Sequence, residues 1–141
     1  EEGTWTIDLE YSSNGSSWSN LGTSGIDTTT GRYTKIGNTV HAWFYSGTFE
    51  PNQDNKLARI NGLPYTSVNA GEGKAGGASF YFTTCFQGYH NSTPMHQEVQ
   101  TGFVEKNSTV LKPALPFSTA EAYWRETQNV QLGFHVTYEA A

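Results

Sequence analysis

The sequence has little that would cross-link the chain, bind nucleic acid or cross a membrane. Its 141 residues include a single cysteine, Cys85, which excludes an internal disulfide and is interpreted as a small core residue. Eight Lys and Arg residues against thirteen Asp and Glu give a formal net charge of −5, which argues against a phosphate-backbone ligand. No apolar run reaches the roughly 18 residues of a membrane-spanning helix. We therefore expect no nucleic-acid partner and no membrane insertion.

Charged residues are also scarce, at 15%, whereas aromatic residues reach 14%. An average soluble domain has about 25% charged residues. Together with abundant Gly, Thr, Ser and Asn, this composition predicts an all-β protein. A chain of this length buries about two-thirds of its unfolded surface in one core, so residues 1 to 141 are predicted to form a single domain.

The strongest local pattern is a β-hairpin within residues 31 to 49. A two-residue Gly37-Asn38 turn joins two strand-like arms, and this pair suits a tight hairpin. Side chains alternate across a strand, so the second arm has two distinct faces. One face carries Val40, Ala42 and Phe44, and the other carries Thr39, His41, Trp43 and Tyr45. Large rings on both faces indicate that the arm lies between two layers or packs outward on another subunit.

Further strands are predicted over residues 4–11, 56–61, 78–87, 96–105, 110–111 and 130–138. Residues 88 to 94 are predicted to interrupt the strand pattern between residues 87 and 96, and Gly102 is predicted to be a bulge or a point of close backbone approach. A capping box predicts helical turns over residues 120 to 126. Residues 12 to 30 are predicted to be a long surface loop, in which Trp18 either pins the loop or forms an exposed platform. About eight strands predict an antiparallel β-sandwich of jelly-roll type, with an open barrel as the alternative.

Patterns for catalysis and metal binding are weak. Glycoside hydrolysis needs two carboxyl groups that face each other across the scissile bond. Glu98 and Glu126, the acidic residues nearest to aromatic side chains, are the candidates if the chain is a glycan depolymerase. The four histidines, at positions 41, 90, 96 and 135, show no recognised ligand spacing. The sequence therefore predicts a protein without catalytic activity, metal or cofactor.

Two segments combine an aromatic ring with hydrogen-bonding groups, which suits recognition of sugars. An aromatic face offers flat apolar surface to the C–H side of a pyranose, and polar neighbours fix its orientation. One segment is a predicted polar loop, and the other surrounds a tryptophan in a region with little core pattern. Each segment is alternatively an anchor for its own loop or part of a subunit contact. The predicted ligand-binding residues are Tyr89, His90, Asn91, Trp124, Arg125 and Glu126.

Three short motifs occur in order between residues 3 and 65. They are Gly3-Thr4-Trp5-Thr6, then Gly31-x-Tyr33-x-x-Ile36-Gly37-Asn38-x-Val40, then Ile60-x-Gly62-Leu63-Pro64-Tyr65. In this order they resemble the β-rich C-terminal domains of bacteriophage tail fibres and tailspikes, although Ile7 stands where those domains usually have proline.

The resemblance implies a receptor-binding domain at the tip of a virion fibre. Such a domain binds host cell-surface glycan outside the cell and works as a parallel homotrimer. The abrupt start at Glu1 leads us to expect that residues 1 to 141 are a C-terminal fragment of a longer fibre protein, with a processed mature chain as the alternative. The alternatives are a structural domain that trimerises or caps a fibre, and a carbohydrate-binding module of a secreted glycan hydrolase.

Overall fold

The computed structural model describes residues 1–21, 23–24, 29–51, 56–69, 83–90, 93–114, 123–124 and 129–141. All regular structure in these ranges is β-strand, which confirms the all-β prediction. None of the described residues belongs to a helix of the length and apolar character that would span a bilayer. The strands are β1 (Glu2–Thr6), β2 (Asp8–Ser12), β3 (Ser19–Asn20), β4 (Thr23–Ser24), β5 (Thr30–Ile36), β6 (Thr39–Pro51), β7 (Lys56–Asn61), β8 (Thr83–His90), β9 (Thr93–Val104), β10 (Leu111–Ala114), β11 (Tyr123–Trp124) and β12 (Asn129–Glu139).

The strands form two antiparallel sheets. The first has the order β1-β5-β6-β12-β8-β9, and the second has the order β9-β10-β7-β2-β3, with β11 also pairing with β7 and β4 pairing with the end of β6. Strand β9 belongs to both sheets, since residues 93–100 pair with β8 and residues 101–104 pair with β10. At the other corner, Ile7 alone separates β1 in the first sheet from β2 in the second.

One apolar core lies between the inner faces of the two sheets. The first sheet contributes Trp5, Phe44 and Phe134, whose ring centroids lie 5.8 to 6.4 Å apart in tilted arrangements. The second sheet contributes Ile60 and Leu111, both fully buried. Burial of these side chains is the main force that holds the sheets together, and tilted ring packing adds to it. The arrangement agrees with a β-sandwich.

The predicted hairpin is confirmed. Strand β5 ends at Ile36, β6 begins at Thr39, and Gly37 has a φ of +59°, as the first central residue of a type II′ turn requires. The predicted alternation along β6 is also confirmed. Its inner residues are buried and its outer rings are exposed: Val40 0%, Ala42 0%, Phe44 4%, Trp43 40% and Tyr45 59%.

Two predicted breaks in the strand pattern are wrong. The residues from 88 to 90 continue β8, and Thr93 and Pro94 already belong to β9, so none of these residues interrupts the strands. Strands β3 and β4 interrupt the predicted loop over residues 12 to 30. Both errors have one cause: Gly, Ser and Asn are accepted in a strand when a neighbouring strand supplies backbone partners, and local composition does not reveal that neighbour.

The predicted helix is wrong as well, and of the two alternatives for Gly102 the bulge is wrong. Tyr123–Trp124 forms the short strand β11 against β7, and the rest of the predicted helix lies outside the described residues. Gly102 pairs in regular register with Pro113. The register shift in β12 instead lies between Gln131 and Gly133, opposite the part of β6 that contains Ser46. There the buried Ser46 hydroxyl accepts a hydrogen bond of 3.0 Å from the Leu132 amide, which no hydrophobic pattern predicts.

Candidate functional site

The outward face of the first sheet carries an open groove beside Trp43. Pairing of the strands brings four outward residues into one row across the sheet: Thr4 on β1, Arg32 on β5, Trp43 on β6 and His135 on β12. The adjoining row contains Glu2, Thr34, His41 and Thr137. Since residues two apart on a strand share a face, both rows lie on the same side of the sheet. The groove has a volume of about 420 Å³ and is lined by Glu2, Gly3, Thr4, Arg32, Tyr33, Thr34 and Trp43. It is called the Trp43 groove below.

The inner face of the sheet fixes the backbone beneath the groove. The Trp5 indole Nε1 donates a hydrogen bond of 3.3 Å to the Arg32 carbonyl oxygen. The same indole covers Gly31, where any Cβ would overlap the ring, so glycine is needed for this close approach. Arg32 is therefore held by a core ring on one side of the sheet while its exposed side chain lines the groove on the other.

A cluster of hydroxyl groups orients the chain at the start of β1. The Glu1 carboxylate accepts hydrogen bonds from the Tyr65 hydroxyl at 2.5 Å and from the Tyr33 hydroxyl at 3.1 Å. The Tyr65 hydrogen bond, followed by that of Tyr33, lowers the pKa of Glu1, and the same bond to Glu1 raises the pKa of Tyr65. The Glu1 carbonyl oxygen also accepts a hydrogen bond from the Lys35 amide at 2.7 Å. These contacts position the neighbouring Glu2 at the edge of the Trp43 groove.

Two histidines adjoin the groove on the side of β12. The rings of His41 and His135 stack with centroids 6.0 Å apart and an interplanar angle of 18°. His41 Nδ1 lies 2.9 Å from the Thr137 hydroxyl oxygen. Across the part of the chain that the structure describes, no three or more His, Cys, Asp or Glu side chains are grouped so that they could hold a metal ion.

A second cluster of aromatic and charged residues lies on the second sheet. The Arg59 side chain forms an ion pair with Glu10, which is only 8% exposed, and lies 4.3 Å from the Trp18 ring centroid. The Asn61 amide also reaches Glu10, at 3.5 Å. Trp18 is half-buried against this arginine, which agrees with the interpretation that it pins its loop. Arg59 is thus paired within this cluster, whereas no ion pair between described residues includes Arg32.

The structure separates the residues that the sequence predicted as ligand-binding. Tyr89 and His90 lie in β8 of the first sheet, where Tyr89 pairs with Asn129 and Pro94, so these two residues are not in a loop as predicted. Trp124 lies in β11 and pairs with Lys56 in the second sheet. Asn91, Arg125 and Glu126 lie outside the described residues. Glu98, one of the two candidate carboxylates if the chain were a glycan depolymerase, lies in β9 and pairs with Phe86, and the other, Glu126, lies outside the described residues.

Sequence reasoning found Trp43 as an outward ring but missed the residues that surround it. Within the predicted strand over residues 4–11, the exposed Thr4 alternates with the buried Trp5. The pairing of β1 with β5, which brings Glu2 and Thr4 beside Arg32, joins segments about 30 residues apart, and no local signal specifies it.

Comparison with known proteins adds no family assignment. No protein-family model matches the sequence, and no curated protein matches it. The functional interpretation therefore depends on the Trp43 groove and on the three motifs between residues 3 and 65.

Proposed function

We propose that this domain binds carbohydrate without cutting it and that the Trp43 groove is its binding site. The observation that supports the proposal is Trp43, which is 40% exposed, in a groove whose other lining residues are Glu2, Gly3, Thr4, Arg32, Tyr33 and Thr34. A sugar ring presents an apolar C–H face and a rim of hydroxyl groups. An indole ring packs against the apolar C–H face, and charged or hydroxyl side chains form hydrogen bonds with the sugar hydroxyls. The groove volume of about 420 Å³ lies within the range of about 300 to 1,000 Å³ that is usual for small-ligand sites.

Binding rather than cleavage suits the carboxylate content of the groove. Glycosidases use two carboxyl groups on opposite sides of the scissile bond. Glu2 is the one carboxylate among the described residues that line the groove. In the proposed role, Glu2 accepts hydrogen bonds from sugar hydroxyls and takes no part in chemistry.

The biological setting that we propose is the tip of a phage tail fibre or tailspike, on the virion and outside the host cell. The support is the motif resemblance between residues 3 and 65. We further propose a jelly-roll-type sandwich that assembles as a parallel homotrimer. Ile36, which ends β5 and is 70% exposed, offers apolar surface that a neighbouring copy would cover. Several groove sites on one trimer act together, so millimolar affinity at each site gives firm attachment.

The experiment that tests the site is calorimetric titration of the purified chain with surface polysaccharides from candidate hosts. We expect saturable binding that is weakened by roughly tenfold or more in Trp43→Ala, since the stacking surface is lost. Trp18→Ala is the matched control, because it removes a tryptophan that packs on Arg59 of the second sheet, away from the groove. New reducing ends in the same samples would show cleavage and would overturn the non-catalytic proposal.

Two further variants test the residues that the sequence predicted. If Tyr89→Ala or Trp124→Ala abolishes binding while Trp43→Ala retains it, the site lies on β8 or β11 and the groove proposal is wrong. If no polysaccharide binds, carbohydrate recognition itself is wrong, and a structural role in the fibre is favoured.

The alternative is that the domain only trimerises or caps the fibre. The exposure of Ile36, Trp43 and Tyr45 supports it, because a partner chain that covers Ile36 and Tyr45 would extend over Trp43 as well. Light scattering at micromolar concentration gives the mass, and the mass of one chain would count strongly against a trimer. In a trimer, acrylamide quenching of the wild type compared with Trp43→Phe reports the access of solvent to Trp43. A shielded Trp43 would favour a trimerisation surface, and an accessible Trp43 would favour the binding site.

A further inference from the structure

Arg32 stands out in the Trp43 groove because no ion pair between described residues uses its charge. It lies in β5 between Thr4 on one side and Trp43 on the other, and its side chain is exposed. Neither of the ion pairs between described residues includes it. The contrast is Arg59 on the second sheet, which forms an ion pair with Glu10. An arginine that lines a candidate site, and whose side chain has no ion pair with another described residue, is suited to bind an acidic ligand.

The chemistry of the Arg32 guanidinium group favours a carboxylate as the acidic group of the ligand. Its planar fork of N–H donors matches a carboxylate, with which it forms two parallel charge-assisted hydrogen bonds. Glu2 lines the same groove and is not ion-paired with Arg32. Its negative charge, and the net charge of −5 on the chain, oppose a doubly charged phosphate more strongly than a singly charged carboxylate. The groove thus combines an aromatic ring for stacking, Trp43, a guanidinium group, Arg32, and a carboxylate that accepts hydrogen bonds, Glu2.

We infer that the Trp43 groove selects glycans that contain a uronic acid, a sugar with a carboxylate at C6. The inference deepens the proposed function and rests on it. The sugar ring stacks on Trp43, its carboxylate binds the Arg32 guanidinium in a bidentate arrangement, and its remaining hydroxyls donate to Glu2. Trp43 supplies affinity for any pyranose, and Arg32 supplies the preference for the acid.

The test is a chemical-shift titration of the full chain with two sugars that differ only at C6, methyl glucuronoside and methyl glucoside. We expect the acid to bind about tenfold more tightly, the effect of a charge-assisted bidentate contact at an exposed site. Arg32→Gln should remove the preference and leave equal binding of both sugars. Trp43→Ala should weaken both. Lys106→Gln, which removes an exposed positive charge from a turn outside the groove, is the charge-matched control and should keep the preference.

The outcomes separate this inference from the proposed function. Equal binding of both sugars by the wild type, with loss of both in Trp43→Ala, would overturn the uronic-acid inference and leave the carbohydrate site in place. Tighter binding of glucose 6-phosphate than of the glucuronoside would overturn the choice of carboxylate. If neither methyl glucuronoside nor methyl glucoside binds at millimolar concentration, the uronic-acid inference is wrong. The polysaccharide titration then tests the proposed function independently.

Discussion

The clearest stability prediction concerns the hydroxyl group of Tyr138, near the end of β12. Tyr138 is 2% exposed, and its hydroxyl joins the backbone of Tyr65 twice. It donates to the Tyr65 carbonyl oxygen at 2.9 Å and accepts from the Tyr65 amide at 3.1 Å. Tyr138→Phe keeps the ring and removes only the oxygen, so it leaves one backbone donor and one backbone acceptor without this partner.

We expect Tyr138→Phe to lower the free energy of unfolding by about 2 kcal/mol at pH 7. Each hydrogen bond contributes roughly 1 kcal/mol, and a group left unpaired in a buried position costs about 1 to 3 kcal/mol. Tyr65 is half-buried, so water replaces part of the loss. With a urea dependence of about 1 to 3 kcal/mol per molar, the unfolding midpoint should fall by about 1 M.

The same variant should change the response to alkali. Burial raises the pKa of Tyr138 from its ordinary value of 10 to about 12. The folded chain therefore keeps this proton after the unfolded chain has lost it, and the stabilisation is full below pH 10 and lost as the pH rises to about 12. One pKa unit corresponds to about 1.4 kcal/mol, so the loss is roughly 2 to 3 kcal/mol. The wild type should lose this stability, and Tyr138→Phe should not.

Urea unfolding followed by circular dichroism at pH 7, 10.5 and 11.5 measures both effects. Tyr45→Phe, which removes the hydroxyl of a 59% exposed tyrosine, is the control and should change stability by less than about 0.5 kcal/mol. The reasoning is refuted if Tyr138→Phe and Tyr45→Phe unfold at the same urea concentration at pH 7. It is also refuted if the difference between wild type and Tyr138→Phe stays constant up to pH 11.5.

Two further predictions concern glycine conformation and a buried ion pair. Gly37→Ala should lower the free energy of unfolding by about 1 kcal/mol, because φ at Gly37 is +59° and a Cβ there would have open space. Gly62→Ala should lower it further, because φ is +88° and the Cβ would also overlap the Thr6 carbonyl oxygen. Equal urea midpoints for the two variants would contradict this order. Arg59→Met should cost roughly 2 kcal/mol, since it removes the arginine partner of the buried Glu10 carboxylate. A thermal scan in which Arg59→Met melts with the wild type would exclude that stabilising role.

The proposed binding site depends more on strand pairing than on local motifs. The sequence segments with the best ring-plus-polar pattern, around Tyr89 and Trp124, lie in strands of different sheets, and parts of both lie outside the described residues. The Trp43 groove combines residues from three strands, and only its tryptophan belonged to a pattern that sequence reasoning had marked as outward. The sequence signal for this groove is the pair of aromatic residues, Trp43 and Tyr45, on the outer side of the hairpin.

The sequence by itself determined the all-β class, the hairpin at Gly37 and the faces of β6. These features depend on neighbouring residues: alternation needs only the pleat of one strand, and a tight turn needs only a glycine with φ of +59°. The tertiary structure decided which strands lie side by side. The transfer of the chain between sheets at Ile7, the strand formed by Tyr123–Trp124 and the placement of Arg32 between Thr4 and Trp43 all require partners distant in sequence. Their backbone hydrogen bonds and shared core are formed only when the whole chain folds, so no local pattern specifies them.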